Sequence, residues 1–172
     1  QKNMKKFFFF LMICVANLIS AQNFAWSKSY GGNNNDAGRV TCTDASGNVF
    51  VAGGYFAPSM LIGSVTINSL GGGDIFLSKW DPNGNLLWVQ TIGGTGLDII
   101  GGICTSTNGG VFICGSYDSP VLTVSTATLG QNSSIGNQDI FVANFSSGGS
   151  CNWTYRYGNT GNDVAKGITY SS

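Results

Sequence analysis

The stretch WVQTIGGTGLDIIGGICTS, Trp88 to Ser106, decides the fold because it recurs along the chain. Similar stretches begin at Trp26 and Trp153, so the three tryptophans recur at nearly equal intervals. The aspartates that follow the tryptophans keep the same two intervals: Asp36, Asp98 and Asp163. Recurrence at a fixed long interval indicates a repeat architecture.

Part of this stretch, GGTGLDIIGG from Gly93 to Gly102, fits the nonapeptide G-G-x-G-x-D-x-U-x of calcium-binding parallel β-helices. An array of that kind repeats at every ninth position, since neighbouring turns share calcium ligands. The copies here lie several times farther apart. The spacing therefore excludes a nonapeptide solenoid and indicates a larger unit.

Short strands and turns make up each unit. DIFLSKW, from Asp74, shows the period-2 alternation of a strand, and the turn DPNG follows it with Pro and Gly at favoured positions. LLWVQTI, GGICTS, an Asn-Gly turn and VFICGSY complete a predicted unit of four strands joined by hairpins. A four-stranded sheet cannot cover both of its own faces, and radial repetition buries them. The sequence predicts an all-β fold of β-propeller blades, each with four antiparallel strands.

Three segments resemble the SBBP-type bacterial β-propeller repeats. They are WSKSYGGNNNDAGRV, DASGNVFVAGGYF and DIFLSKWDPNGNLLW, which begin at Trp26, Asp44 and Asp74. The resemblance covers roughly residues 26–172, about two and a half times over. It implies a large secreted protein with further modules and a sorting domain. Departures occur at three positions, interpreted as losses in surface or turn residues: Val40, Asn144 and Asn159.

The repeat predicts a division of the chain into four parts. Residues 1–21 are a signal peptide, 22–73 a partial first blade with an insertion, 74–138 a second blade with an insertion, and 139–172 a truncated third blade. Propellers have about four to eight blades. We therefore expect an incomplete propeller, an open arc of two to three blades with an unpaired edge.

The N-terminal residues have the pattern of a secretory signal. Lys5 and Lys6 precede an apolar run, Phe7 to Ile19, which is shorter than the roughly 20 residues of a membrane span. We expect cleavage after Ala21, no membrane span afterwards, and a secreted or cell-surface protein. Loss of three lysines leaves five basic residues against eight acidic ones, which argues against nucleic acid as a partner.

The three repeated aspartates, Asp36, Asp98 and Asp163, are the weak calcium candidates of the sequence. Calcium needs six to eight oxygen ligands, and each loop offers one carboxylate. The alternative is a structural aspartate that accepts backbone N–H groups in a turn. The turn interpretation is favoured and no cofactor is expected.

The residue types give little support for a catalytic function. The chain has no histidine, and most of its acids lie at repeat-equivalent or turn positions, which is typical of scaffold residues. The sequence predicts a non-catalytic binding or adhesion scaffold. The alternative is a propeller-borne carbohydrate-active enzyme whose catalytic residues lie beyond these residues.

The cysteines and the repeated tryptophans are interpreted as packing residues, and each set has one functional or covalent alternative. Cys42 and Cys104 lie one repeat apart and predict small buried side chains, whereas a bridge from Cys104 to Cys114 is the disulfide alternative. The Asn-Gly turn predicts that Cys104 pairs with Val111 instead. The repeated tryptophans predict packing between blades, with sugar stacking as the alternative.

The copies differ most in two segments, residues 57–73 and 119–138. Insertions in repeat proteins form loops on one face, which is often the binding face. The residues at the entrances to these segments are the predicted ligand contacts: Tyr55, Phe56, Tyr117 and Asp118. The expected partner is an extracellular ligand, a carbohydrate or a protein.

Overall fold

A computed structural model of the chain describes residues 25–125, 127–129 and 138–171, and these residues form an all-β structure. Strands β1 to β6 are Asp36–Thr43, Val49–Tyr55, Ser59–Ile62, Val65–Asn68, Asp74–Trp80 and Leu86–Gly93. Strands β7 to β12 are Asp98–Thr105, Val111–Tyr117, Leu122–Val124, Ala127–Leu129, Asp139–Phe145 and Cys151–Tyr157. Among the described residues, no helix is long and apolar enough to cross a membrane.

Two four-stranded antiparallel units form the body of the structure. The first blade has the order β1-β2-β5-β6, and the hairpin of β9 and β10 extends its sheet to six strands. The second blade has the order β7-β8-β11-β12. The predicted fold class, four-stranded antiparallel blades in an incomplete propeller-like arrangement, is confirmed.

The predicted grouping of strands was wrong, although the strands themselves form. Strand β5 pairs with β2, with Tyr55 opposite Asp74, and the pair β6 and β7 falls in different sheets. The expected boundaries between residues 73 and 74 and between 138 and 139 therefore fall inside blades. The period of a repeat gives the spacing between equivalent strands. It does not determine which four consecutive strands belong to one sheet.

In two of the hairpin turns, an aspartate carboxylate accepts hydrogen bonds from backbone N–H groups of the same turn. The Asp81 carboxylate accepts the N–H groups of Asn83 and Asn85 at 2.9 and 2.8 Å, and Gly84 adopts a φ of 79°. Asp44 does the same for Ser46 and Asn48. The predicted turn after Trp80 is confirmed.

The register of the Cys104 hairpin differs from the prediction. Cys104 lies opposite Phe112, and Val111 pairs with Thr105, because the loop between these strands is longer than a two-residue turn. Cys114 lies opposite Gly102, so the alternative Cys104–Cys114 bridge does not form. The four cysteines of the described residues are free thiols, and burial raises the pKa of Cys42 to about 12.

The largest apolar cluster lies between the two blades. Phe50, Ile75 and Leu77 from the first blade are fully buried against the second. Phe141 and Phe145 lie on the facing side of the second blade. Blade-on-blade contact therefore buries the faces that a single sheet would expose.

Two of the three repeated tryptophans, Trp26 and Trp88, lie in matching surroundings. Trp26 Nε1 donates to the Pro82 carbonyl at 3.1 Å, and Trp88 Nε1 donates to the Ser147 carbonyl at 3.0 Å. These two acceptors lie one repeat apart in the sequence. Each indole thus lies on the outer hairpin turn of the following blade, as the inter-blade packing interpretation predicts.

Lys79 and Asn144 correct one prediction about the repeat. They occupy equivalent positions, and the change at Asn144 was interpreted as a surface or turn loss, yet Lys79 and Asn144 are only 5% and 9% exposed. Lys79 Nζ lies 3.3 Å from Asp44 and donates to the Ser147 carbonyl of the second blade at 3.3 Å. Burial alone would raise the pKa of Asp44, but hydrogen bonds from Asn48 and the Lys79 ammonium outweigh it and lower that pKa. This position therefore lies in the inter-blade contact.

Replacement of Gly149 by alanine should destabilise the protein by about 1–3 kcal/mol. Gly149 has a φ of 88°, and a Cβ there would lie 2.8 Å from the Trp88 indole. The free energy of unfolding in urea measures the effect. Gly148→Ala is the matched control, because its Cβ would meet nothing closer than 3.9 Å. Equal losses in the two variants would contradict the packing role of Trp88.

Candidate functional site

One aspartate in each unit holds the glycine-containing loop that precedes it. Asp36 Oδ2 accepts the Gly32 N–H at 2.5 Å, and Asp98 Oδ2 accepts the Gly94 N–H at 2.8 Å. Asp163 Oδ2 accepts an N–H from the residue four positions earlier at 2.8 Å. The three calcium candidates therefore act as turn aspartates. Within the described ranges, no group of three or more His, Cys, Asp and Glu could hold a metal ion.

Asp98 is the most enclosed of the three and differs in its ionisation. It is 2% exposed, and the Ser119 hydroxyl lies 3.0 Å from both of its carboxylate oxygens. Burial raises the pKa of Asp98 to about 7, against the hydrogen bonds from Ser119 and Gly94, and the charges of Asp74 and Asp118 add to the rise. This carboxyl is therefore partly protonated near neutral pH.

Asp118, a predicted ligand contact, makes hydrogen bonds to the backbone of another loop. Its carboxylate accepts the Leu97 N–H, and its own N–H donates to the Leu97 carbonyl at 3.2 Å. Ser119 Oγ accepts the Gly96 N–H at 2.9 Å beside it. These bonds fasten the start of the second inserted segment to the loop between β6 and β7.

The two predicted tyrosines lie in the interior at equivalent positions. Tyr55 and Tyr117 are both fully buried. The Tyr55 hydroxyl donates to the Asn68 carbonyl at 2.9 Å, and burial raises its pKa to about 12. Tyr117 makes an edge contact with Phe141 at 6.4 Å between ring centroids. The hydrogen bond of Tyr55 positions the first inserted segment, and direct contact of either tyrosine with a ligand stays a prediction.

The inserted segments form hairpins on the outer rim. Strands β3 and β4 pair with each other, and Leu61 bridges to Gly31. In the next blade β9 pairs with the outer strand β6 through Ile92–Val124 and Gly93–Thr123. Each hairpin therefore reaches back to the outer segment before it, at positions that are one repeat apart.

Phe56 is the one predicted contact residue that is well exposed, at 44%. It lines a groove of about 490 Å³ with three consecutive amides, Asn33, Asn34 and Asn35. Asn34 Nδ2 donates to the Phe56 carbonyl at 3.2 Å and holds the two sides of the groove together. An aromatic ring beside several amides can stack on a ligand and also exchange hydrogen bonds with it.

Sequence reasoning missed the asparagines of this groove. The corresponding residues are Thr95-Gly96-Leu97 in the second unit and Thr160-Gly161-Asn162 in the third, so a run of three amides is specific to the first unit. That departure from the repeat is the signal that could have found them. Their closeness to Phe56 depends on the fold and has no local signature.

Comparison with known proteins supports the repeat architecture. No model of a known protein family matches the chain. The chain is 26% identical over 170 aligned positions to an uncharacterized WD repeat-containing protein, L264, of Acanthamoeba polyphaga mimivirus. The match covers 84% of this chain and 12% of that protein. The similarity agrees with a propeller-like repeat and leaves the SBBP resemblance without confirmation from a family model.

Asp98→Asn should change how stability depends on pH. The folded-state pKa, about 7, lies above the ordinary value of 3.8. The contribution of Asp98 to stability is therefore complete below about pH 4 and is lost as pH rises through about 7. The wild type should lose about 2–4 kcal/mol relative to Asp98→Asn between those limits, measured by urea unfolding at each pH.

Asp81→Asn is the control for this experiment. Hydrogen bonds from the Asn85 side chain and backbone lower the pKa of Asp81, so its contribution to stability is present at neutral pH and is lost as pH falls. The two variants should therefore shift the pH profile in opposite directions. Parallel profiles would contradict the buried, partly protonated state of Asp98.

Proposed function

We propose that the protein is a non-catalytic binding scaffold of the propeller type, exported to the cell surface or beyond, whose groove at Phe56 binds a carbohydrate. The observation that supports this proposal most is the exposed Phe56 side chain beside three asparagine side chains, a run that the other units lack. Sugars present both C–H faces that stack on aromatic rings and hydroxyls that bond to amides. The groove is lined by uncharged side chains, which fits a neutral ligand better than an ionic one.

The hydrogen bonds of the aspartates support a non-catalytic role. The carboxylates of Asp44, Asp81 and Asp98 each accept two or more hydrogen bonds from their own loops or neighbours. A pair of carboxylates on either side of a shared substrate space is the usual arrangement for glycoside hydrolysis. Carboxylates that hold turns are scaffold, and this supports binding over turnover.

Export rests on the sequence of positions 1–21, which lie outside the described residues. The basic pair at Lys5 and Lys6 and the apolar run after it support a cleaved secretory signal. The low density of charge in the rest of the chain fits a partner other than nucleic acid. The proposed location is the cell surface or the extracellular space.

Phe56→Ala should weaken glycan binding by about tenfold or more, because loss of the ring removes the stacking contact. Binding is measured by screening the purified chain on a glycan array and then titrating the best glycan by calorimetry. Leu87→Ala is the matched control, since Leu87 is 51% exposed on β6 and does not line the groove. Equal affinity of the Phe56 variant and the wild type would reject this groove, and binding to peptides but to no glycan would reject the carbohydrate.

A further inference from the structure

The Phe56 ring lies against the two connections that lead into strands β5 and β7. A Cβ on Gly73 would lie 2.5 Å from Phe56 Cε1 and 2.8 Å from Leu97 Cδ1. The Phe56 ring and the Leu97 side chain therefore share the space beside Gly73. Gly73 is buried and its φ is not positive, so its backbone conformation does not require glycine. The two side chains require it, because any Cβ would displace one of them.

Backbone hydrogen bonds join these two connections. The Gly73 N–H donates to the Gly96 carbonyl at 3.0 Å, and the Asp98 N–H donates to the Gly73 carbonyl at 2.8 Å. Together they form a parallel bridge between Gly73 and Leu97. Gly73 precedes a strand of the first blade and Leu97 precedes a strand of the second. The Phe56 ring thus lies where the two blades meet.

The same backbone contact recurs one repeat later with polar side chains. The residues at the positions of Phe56, Gly73 and Leu97 are then Asp118, Gln138 and Asn162. The Asp163 N–H donates to the Gln138 carbonyl at 2.7 Å, and the Gln138 N–H donates to Asn162 Oδ1 at 3.2 Å. The backbone contact therefore forms without an apolar set, and folding alone does not explain the three apolar residues at the first boundary.

Phe56 is held at its backbone as well as at its ring. Asn34 Nδ2 donates to the Phe56 carbonyl at 3.2 Å, and the ring edge lies beside Gly73. The side chain remains 44% exposed, so part of the ring is open to a ligand. A ring that is already fixed in place loses little conformational entropy when a ligand binds.

We propose that the ligand site at Phe56 is shared by the two blades, and that Gly73 and Leu97 are the residues that position its ring. Gly73 provides the space that the ring edge occupies, and Leu97 lies beside the ring in that space. The inference rests on the proposed function of the groove for its ligand. The placement of the ring can be measured without one.

A site shared by two blades couples ligand binding to the contact between them. A ligand that needs the fixed ring binds the joined form of the blades and stabilises that form by linkage. Residues behind the ring then affect affinity although they need not touch the ligand. This effect of positioning separates Gly73 and Leu97 from residues that line the groove.

NMR of the chain with ¹³C-labelled phenylalanine rings tests the placement of the ring. Phe56→Leu assigns the signals of residue 56 by their loss. Gly73→Ala and Leu97→Asn should each shift those signals by more than their linewidth, because the first change fills the space beside the ring and the second removes its apolar neighbour. Gly54→Ala is the matched control, since Gly54 is also buried and its Cβ would meet nothing closer than 3.8 Å.

The methyl glycosides of glucose, galactose and mannose are the binding probes, titrated while the same signals are followed. Gly73→Ala and Leu97→Asn should weaken the tightest of them by about fivefold or more, because the ring no longer lies where the ligand stacks. Leu97→Met should retain most of the affinity, since it keeps an apolar side chain beside the ring. Urea unfolding checks that each variant is folded, and Leu97→Asn carries the test if Gly73→Ala does not fold.

The outcomes separate the placement of the ring from the nature of the ligand. Signals of residue 56 that stay in place in the folded variants overturn the proposal, whether or not a glycoside binds. A displaced ring with unchanged affinity also overturns it. If no glycoside shifts these signals in the wild type, the carbohydrate proposal fails, and displacement of the ring alone then decides whether Gly73 and Leu97 position it.

Discussion

The fit of an indole ring on the backbone of a glycine turn is the contact on which the blade arrangement depends. Trp26 lies on the turn of Gly84, and Trp88 lies on the turn of Gly149, with no room at either glycine for a side chain. The indole N–H also satisfies a turn carbonyl in both cases. A tight turn with positive φ at glycine therefore serves two purposes, since it reverses the chain and forms the seat for the preceding outer segment.

Aspartates hold the loops that precede strands β1 and β7. Asp36 and Asp98 each tie a Gly-rich crossing loop by accepting an N–H from the residue four positions earlier. The crossing is then fastened to the neighbouring segment, where the Gly73 N–H donates to the Gly96 carbonyl at 3.0 Å. Glycine-rich sequence that resembles a calcium motif thus serves close backbone contact, which explains why the motif appears without its nine-position period.

Local patterns in the sequence predicted the strands and turns well, because alternation and turn chemistry are properties of neighbouring residues. DIFLSKW forms β5, and the turn after it has the expected glycine conformation. The assignment of strands to sheets failed, because β6 and β7 are adjacent in sequence but pair with different partners. Only hydrogen bonding between distant strands fixes that choice.

The candidate site was predictable only in part. Phe56 is exposed where the sequence placed it, whereas Tyr55 and Tyr117 turn inward and are each buried in an apolar cluster. The burial of Lys79 was also missed, since it depends on Asp44 and on a carbonyl from the next blade. Interactions between blades have no signature in a single unit.

The hairpin of β9 and β10 joins the sheet of the first blade, although it lies in the sequence between two strands of the second. The six-stranded sheet therefore draws on residues from Asp36 to Leu129. During synthesis the first sheet cannot be completed until this later hairpin leaves the ribosome. The two blades should consequently unfold as one cooperative unit rather than one after the other.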